Sequence, residues 1–410
     1  MRFTRLKLAN WRNFRAVDIP LAQRAFLVGP NGSGKSNLLD ALRFLRDIAD
    51  RTGGLGRAAE ERGGMQAIRS HYRNKPNPLH PQTPTVRWGV SAIQDNRPLD
   101  NSDFMTGVRV LVEVHAEIDG KPWRYALEID NVSWEAPVVV REEVDGPNGP
   151  LVRRPDAADI DDSERLTQTY LEQVSANKPF RKLAELLASI EYSHIVPELV
   201  RDPRPRTDRS VLRDPYGAEL LSSITTLPEE ERTHRLRALC RQLQKIIPDL
   251  DEIKYRRDGN TPHLGLRFVS LPDVFHYENQ LSDGTLRLLG LLWVLAAGTS
   301  PVLLEEPEMS LHASAVRQIP QLLARVASRL DRQTLVSTHS EDLLADTGID
   351  PSEVLILSPS EQGTIVTVGS DDAGLMALAR ADAPLGGFLV AKTKPADISQ
   401  LAMVIGDDDE

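Results

Sequence analysis

Eight consecutive residues, Gly29-Pro30-Asn31-Gly32-Ser33-Gly34-Lys35-Ser36, set glycines, a lysine and a hydroxyl side by side. Glycine lets the backbone curl until successive N–H groups point inward, and a helix starting directly afterwards adds the partial positive charge of its N-terminus. In this spacing the loop suits a polyphosphate. Lys35 can reach the β- and γ-phosphates and Ser36 can ligate Mg²⁺, with Asn31, Gly32, Ser33, Gly34 and Asn37 completing the cradle. A second constellation is Val302-Leu303-Leu304, an apolar strand that ends abruptly in Glu305-Glu306-Pro307. Packing does not ask for paired carboxylates there. One of them, Glu305, can enter a Mg²⁺ shell, while Glu306 can orient or deprotonate an attacking water. The plain alternative is a solvated acidic loop.

Leu281-Ser282-Asp283-Gly284-Thr285 precedes an apolar run, and a serine and glycine at a helix N-terminus make an anion-binding cap. Thr334 to Ser337 reads as a strand running into Thr338-His339-Ser340. That places a histidine at a strand's carboxyl end, where open α/β sheets bind ligands.

The elements that must position these residues follow from periodicity. Strands are expected at Phe3 to Leu8 and Ala25 to Val28, then a helix with Leu38, Leu39, Ala41, Leu42 and Leu45 on one side. Arg51 to Thr85 has the composition of a long surface loop. Period-two alternation over Val108 to Val114, Trp123 to Ile129 and Val138 to Val144, with a turn at Asp119-Gly120, predicts an antiparallel β-meander. Beyond Asn148-Gly149-Pro150 the pattern turns helical at Glu164 to Val174, Phe180 to Leu187 and Pro228 to Ile247, which reads as an inserted helical subdomain. A strand at Leu264 to Val269 returns the chain to the core, and the short strands Val302 to Leu304, Thr334 to Ser337 and Val354 to Leu357 then alternate with helices. The fold class is therefore α/β with a mostly parallel sheet covered on both faces. The expected domains are 1–150, 151–260, 261–370 and 371–410, the last a helix and an acidic tail.

Composition narrows the function classes. A net charge of −10 argues against coating nucleic acid through the whole surface and leaves room only for local basic patches. The single cysteine, Cys240, rules out an intramolecular disulfide framework. Met1 to Asn10 alternates polar and apolar residues, unlike a signal peptide, and the apolar run Leu288 to Ala297 is about half of the roughly 20 residues a membrane span needs. The expectation is a cytoplasmic protein without a membrane partner.

Taken in order, these four motifs resemble the ABC ATPase set of Walker A, LSGGQ-like signature, Walker B and switch histidine. Within it the chain is most similar to the soluble RecF, SMC and overcoming-lysogenization-defect branch. Asn10-Trp11-Arg12-Asn13-Phe14 resembles that branch's N-terminal "NFRNF" element, and Glu306-Pro307-Glu308 with Leu311-His312 its "DEPE…LH" run. The resemblance implies ATP and Mg²⁺ as cofactors, Arg12 and Asn13 near the nucleotide, and a homodimer that sandwiches ATP. Ser282, Asp283 and Gly284 would then face the γ-phosphate bound to the opposite subunit, and His339 would sense it. Glu305 stands where the family has aspartate, and Asp283 where transporters have glycine. Gln66, in Gly63-Gly64-Met65-Gln66, is the candidate for the family's loop glutamine that touches Mg²⁺ and water; a surface glutamine is the alternative.

Two basic regions, Arg51, Arg57, Arg62, Arg69, Arg73 and Lys75, and Arg201, Arg204, Arg206, Arg209 and Arg213, read as solvated surface, the second being interleaved with Asp202, Asp208 and Asp214; the alternative is contact with a DNA backbone in a dimer groove. Too few residues follow His339 for a Toprim nuclease domain, and Asp407 to Glu410 reads as a solvated tail. The leading reading is a nucleotide-gated switch in DNA maintenance or mobile-element defence that regulates a separate effector. A RecF-like repair ATPase without a nuclease partner and a transporter's nucleotide-binding subunit are the alternatives.

Overall fold

Burial alternates along β1 (Arg2–Trp11), whose inward side chains Phe3, Leu6 and Leu8 are fully enclosed. The structure is a computed structural model describing residues 1–70, 109–131, 136–201, 216–217, 220–259, 261–296 and 298–394. β1 is sandwiched between β2 (Phe14–Pro20) and β4 (Val110–Ile118), both antiparallel to it. The sheet continues through β5 (Lys121–Asn131), β6 (Pro137–Gly146) and β7 (Gly149–Arg154), all antiparallel. Asp119 and Gly120, both at positive φ, make the β4–β5 turn as expected.

A second sheet has the order β15-β14-β3-β13-β12-β8, built from β3 (Arg24–Val28), β8 (Glu191–Ser193), β12 (Val302–Glu305), β13 (Thr334–Thr338), β14 (Val354–Ser358) and β15 (Ile365–Val368). Every neighbouring pair is parallel except β14–β15. The uninterrupted burial of β13 is what a strand covered on both faces requires. Helix α1 (Lys35–Ala49) packs Leu38, Leu42 and Leu45 into the core shared with the antiparallel sheet. The opposite face is covered by Leu291 and Leu295 of the helix Asp283–Ala296 and by Leu323 and Val326 of Ile319–Leu330. Buried Gln333 ties the two sheets, its amide bonding both the N–H and the carbonyl of Phe3 at 2.8 and 2.7 Å.

Register aligns the carboxyl ends. Glu305 lies beside Ser337, and Thr338 beside Val28, so the chain leaves β3, β12 and β13 at one edge of the sheet.

Several expectations are corrected. Arg51 to Ser70 is not a surface loop: α2 (Leu55–Glu60) and α3 (Met65–Ile68) bury Leu55, Ala58, Ala59, Met65 and Ile68. The remainder of that segment, from His71, lies outside the described residues, as does Val108. Gly149 to Arg154 is a fourth meander strand, not the start of helical structure. Glu164 to Val174 forms only a 3₁₀ turn at Ser163–Thr167, because the N–H groups of Tyr170 and Leu171 go to the buried Glu142 carboxylate at 2.7 and 3.1 Å. The region after 151 is helical at Arg181–Ser189 and Glu229–Leu243 but also supplies β8, an edge strand of the parallel sheet. Leu264 to Phe268 does not rejoin that sheet. It lies in β10 (Thr261–Phe268), the centre of a separate antiparallel sheet between β9 (Leu250–Asp258) and β11 (Leu271–His276).

Candidate nucleotide-binding site

The loop from Gly29 to Gly34 joins β3 to α1, and its shape depends on one close contact. Gly34 sits at φ 96°, and a Cβ there would lie 2.1 Å from the Asn13 amide nitrogen. Only glycine fits against that side chain. Asn13 Nδ2 donates to Ser33 O at 2.9 Å and to Thr364 Oγ1 at 2.7 Å, while its Oδ1 accepts from Asn37 Nδ2 at 2.7 Å. Thr364 Oγ1 also donates to Ser33 O at 2.8 Å. Asn13 and Asn37 thus brace the loop from behind. Asn31 and Gly32 are exposed at its tip.

Lys35 is buried, and its ammonium donates to the carbonyls of Gly29 and Pro30 at 2.8 and 3.2 Å. Burial pushes its pKa below the ordinary lysine value, opposed by the charges of Glu306, Glu308 and Glu305. Ser33 Oγ is buried without a hydrogen-bond partner. A cationic donor held by loop carbonyls beside an unsatisfied hydroxyl fits a site for an anion carrying several oxygens.

Ser36 is exposed at the first turn of α1 and its hydroxyl donates to Glu305 Oε1. Tyr192, from β8, donates to the other oxygen of the same carboxylate, Oε2. His194 Nδ1 lies 3.2 Å from Glu305 O, and the Arg43 guanidinium of α1 stacks 4.7 Å from the centre of the Tyr192 ring. Burial raises the Glu305 pKa; the Ser36 hydroxyl opposes this and the Glu306 charge reinforces it. Among the described residues no group of three His, Cys, Asp or Glu side chains could cage a metal. A hard cation here fits Ser36 and Glu305 completed by phosphate oxygens and water, the usual arrangement for Mg²⁺.

Glu306 follows with φ 42°, unusual for a side chain other than glycine and directly before Pro307. Its N–H donates to Ser337 O at 3.0 Å and its carbonyl accepts from Met309 N at 3.2 Å, which hold the strained turn in place. The carboxylate lies 3.3 Å from His339 Nδ1. Behind it, Glu308 is buried and accepts from Thr338 Oγ1 at 2.5 Å; burial raises its pKa.

Ser282 is exposed at the start of the helix Asp283–Ala296, with Oγ 2.9 Å from Thr285 Oγ1. A Cβ on Gly284 would sit 2.6 Å from Ser310 O, so glycine lets this turn pack on the loop after Glu308. Asp283 is paired with Arg201.

Over residues 24–81 and 109–346 the chain matches the family described as "AAA domain, putative AbiEii toxin, Type IV TA system". That span contains Lys35, Ser282, Glu305, Glu306 and His339. The chain belongs to this family. The chain is 35% identical over 100 residues to the chromosome partition protein Smc of Bordetella petrii, covering 23% of this chain and 7% of that one. It is 50% identical over 42 residues to the DNA replication and repair protein RecF of Brucella abortus, covering 10% and 11%. The matched segments are a small part of those relatives' length. Among solved structures, an Smc head bound to the C-winged helix domain of ScpA aligns with 90% of this chain and 98% of its own at 14% identity and a TM-score of 0.51, which shows a shared fold. The SMC head domain from Thermotoga maritima aligns over 90% and 99% at 15% identity and a TM-score of 0.47.

Other residues fall differently from expectation. Arg12 is turned to Asp40 at 2.7 Å, within an ion-pair cluster beneath α1. Arg62 is nearly enclosed and bonds Asp40 and Asp47 at 2.9 and 2.8 Å. Burial pushes Asp40 up, but Arg62, Arg12 and Arg43 outweigh it and hold its carboxyl below the ordinary range. Arg57 pairs with Glu61 and Arg69 with Asp130. These arginines are matched to acids within the fold, which favours a structural role for them over DNA contact; Arg51 is exposed, and Arg73 and Lys75 lie outside the described residues. Of the second basic group only Arg201 is described, and Asp407 to Glu410 are not. Gln66 is exposed on α3, whose end is tied to Trp11–Arg12 by Arg12 N donating to Ile68 O at 2.7 Å. Tyr192 and Thr364 carry no signal in the sequence, and Arg201, grouped there with a basic region, is instead tied to Asp283. No described helix is long and apolar enough to cross a membrane.

Proposed function

We propose that the cleft between the Gly29–Gly34 loop and the Glu305–Glu306 strand end binds and hydrolyses ATP, and that ATP gates the pairing of two copies. The observation that supports this best is the joining of Ser36 to Glu305 beside Lys35, because the hydroxyl and carboxylate that would hold Mg²⁺ already face each other. Mg²⁺, when bound, would neutralise phosphate charge. Lys35 exchanges the carbonyls of Gly29 and Pro30 for β- and γ-phosphate oxygens, and the loop N–H groups bind the rest. Glu306 takes the proton of the attacking water, and His339, beside it, contacts the γ-phosphate. Gln66 on α3 is the candidate for the remaining contact to water and metal.

In the dimeric switch, Ser282 to Gly284 of one copy close on the nucleotide held by Lys35 and Ser36 of the other. Its output passes to a separate effector, such as a Toprim-type nuclease, in mobile-element defence or DNA maintenance. The family's toxin–antitoxin description supports the defence setting. The local matches to RecF and Smc favour a second reading, a repair ATPase acting on DNA without a nuclease partner.

Mixing Lys35→Ala with Ser282→Arg chains tests the shared site. Each parent is expected to be inactive, and the mixture to recover hydrolysis through one intact composite site per heterodimer. Proven heterodimers no more active than either parent would refute the dimeric reading.

A further inference from the structure

Asp283 puts a carboxylate in a turn that, on the dimeric reading above, must approach a γ-phosphate. Like charges brought together at an interface repel strongly. In the structure this carboxylate is already matched. Arg201, which ends the helix Pro197–Arg201, donates from Nη2 to Asp283 Oδ1 at 2.5 Å and to Leu281 O at 2.8 Å. The two acceptors flank Ser282, so one guanidinium spans the turn that presents the serine. The pair is open to solvent on one side, with Asp283 46% exposed and Arg201 26%. Exposed pairs of this kind do little for stability, so support of the fold is a poor reason for it.

The surroundings point the same way. Arg201 lines a groove of about 460 Å³ whose wall carries Arg256 and Arg257 together with Asp258 and Glu278, and the segment Glu278–Gln280 in it runs directly into the Ser282 turn. Gly284 lies so near Ser310 O that a Cβ there would come within 2.6 Å of it, so the turn rests on the loop after Glu308.

We propose that Arg201 is a positioning residue of the composite ATP site: it neutralises Asp283 so that the Ser282–Gly284 turn can accept the γ-phosphate held by a second copy. This rests on the dimeric reading. An arginine suits the task because its planar fork serves a carboxylate and a carbonyl together.

The test uses the full chain carrying Glu306→Gln, which slows hydrolysis, with mass measured against protein concentration in ATP and affinity for a fluorescent ATP analogue measured in parallel. Adding Arg201→Gln is expected to raise the concentration needed for dimerisation on the order of tenfold or more, while affinity at the chain's own phosphate loop stays the same. Adding Asp283→Asn to that variant is expected to restore dimerisation, which a merely structural tie between the two helices would not do. Arg201→Lys, expected to be intermediate, serves if the glutamine variant fails to fold. Undiminished dimerisation of a folded Arg201→Gln chain overturns the proposal, and so does a double variant that binds the analogue but stays monomeric. A Glu306→Gln parent that remains monomeric in ATP refutes the dimeric reading itself and the proposal with it.

Discussion

His339 Nδ1 stands 3.3 Å from Glu306 Oε1, joining the ends of two adjacent parallel strands across the mouth of the cleft. The imidazole is half exposed and the carboxylate more enclosed, so the histidine is the partner an arriving phosphate meets. His339→Ala is expected to lower steady-state phosphate release on the order of 10²-fold, with the analogue still binding. Unchanged release would remove His339 from the site.

Lys35 is held only by loop carbonyls and supports no core contact that another side chain depends on. Replacing it with alanine should leave thermal unfolding nearly unchanged and weaken ATP binding by about 10²-fold or more, as the loss of two charge-assisted hydrogen bonds implies. Wild-type affinity in the folded variant would displace the phosphate from this loop.

Tyr192 reaches the site from a three-residue edge strand, and its hydroxyl fixes the Glu305 oxygen that Ser36 does not hold. Partners that orient a ligating carboxylate typically contribute about 10- to 100-fold in metal affinity. Tyr192→Phe should therefore raise by that order the Mg²⁺ concentration at which ATP binding tightens, without changing metal-free ATP affinity. An unaltered Mg²⁺ titration would show that the contact is incidental.

Arg62 is a buried structural cation, not a nucleic-acid contact. Arg62→Ala removes the cation that Asp40 and Asp47 share while leaving them Arg12 and Arg46, and should cost about 1 to 3 kcal/mol in urea unfolding. Asp40 has a depressed folded-state pKa, so its contribution is present above the ordinary carboxyl value of about 3.9 and is lost as pH falls from there through the lower folded value. The acid-dependent loss should be smaller in the variant. Weakened DNA retention at unchanged stability would contradict this assignment.

Lys35, Ser36, Glu305 and Glu306 were legible because each motif is contiguous: a strand, then chemistry at its end. The residues that complete the site come from far along the chain. Tyr192 lies in a strand too short to show a period, within a region whose dominant pattern is helical. Thr364 braces Ser33 from more than three hundred residues away, and nothing in its neighbours marks it. α2 was hidden by flanking glycines, although Leu55, Ala58 and Ala59 have helical spacing once seen. Arg62 reads as part of a basic region because its acidic partners Asp40 and Asp47 lie on α1, well separated in sequence and adjacent only in the fold.

The most direct test of the account is ATP turnover by Glu306→Gln, measured together with ATP affinity. Glutamine keeps the size and hydrogen bonding of the side chain but cannot accept a proton from the attacking water. Removal of a positioned general base costs on the order of 10² to 10⁴ in rate, or about 3 to 5 kcal/mol of barrier. Glu306→Gln is expected to show that loss with ATP binding retained; wild-type turnover by the folded variant would contradict Glu306 as the base.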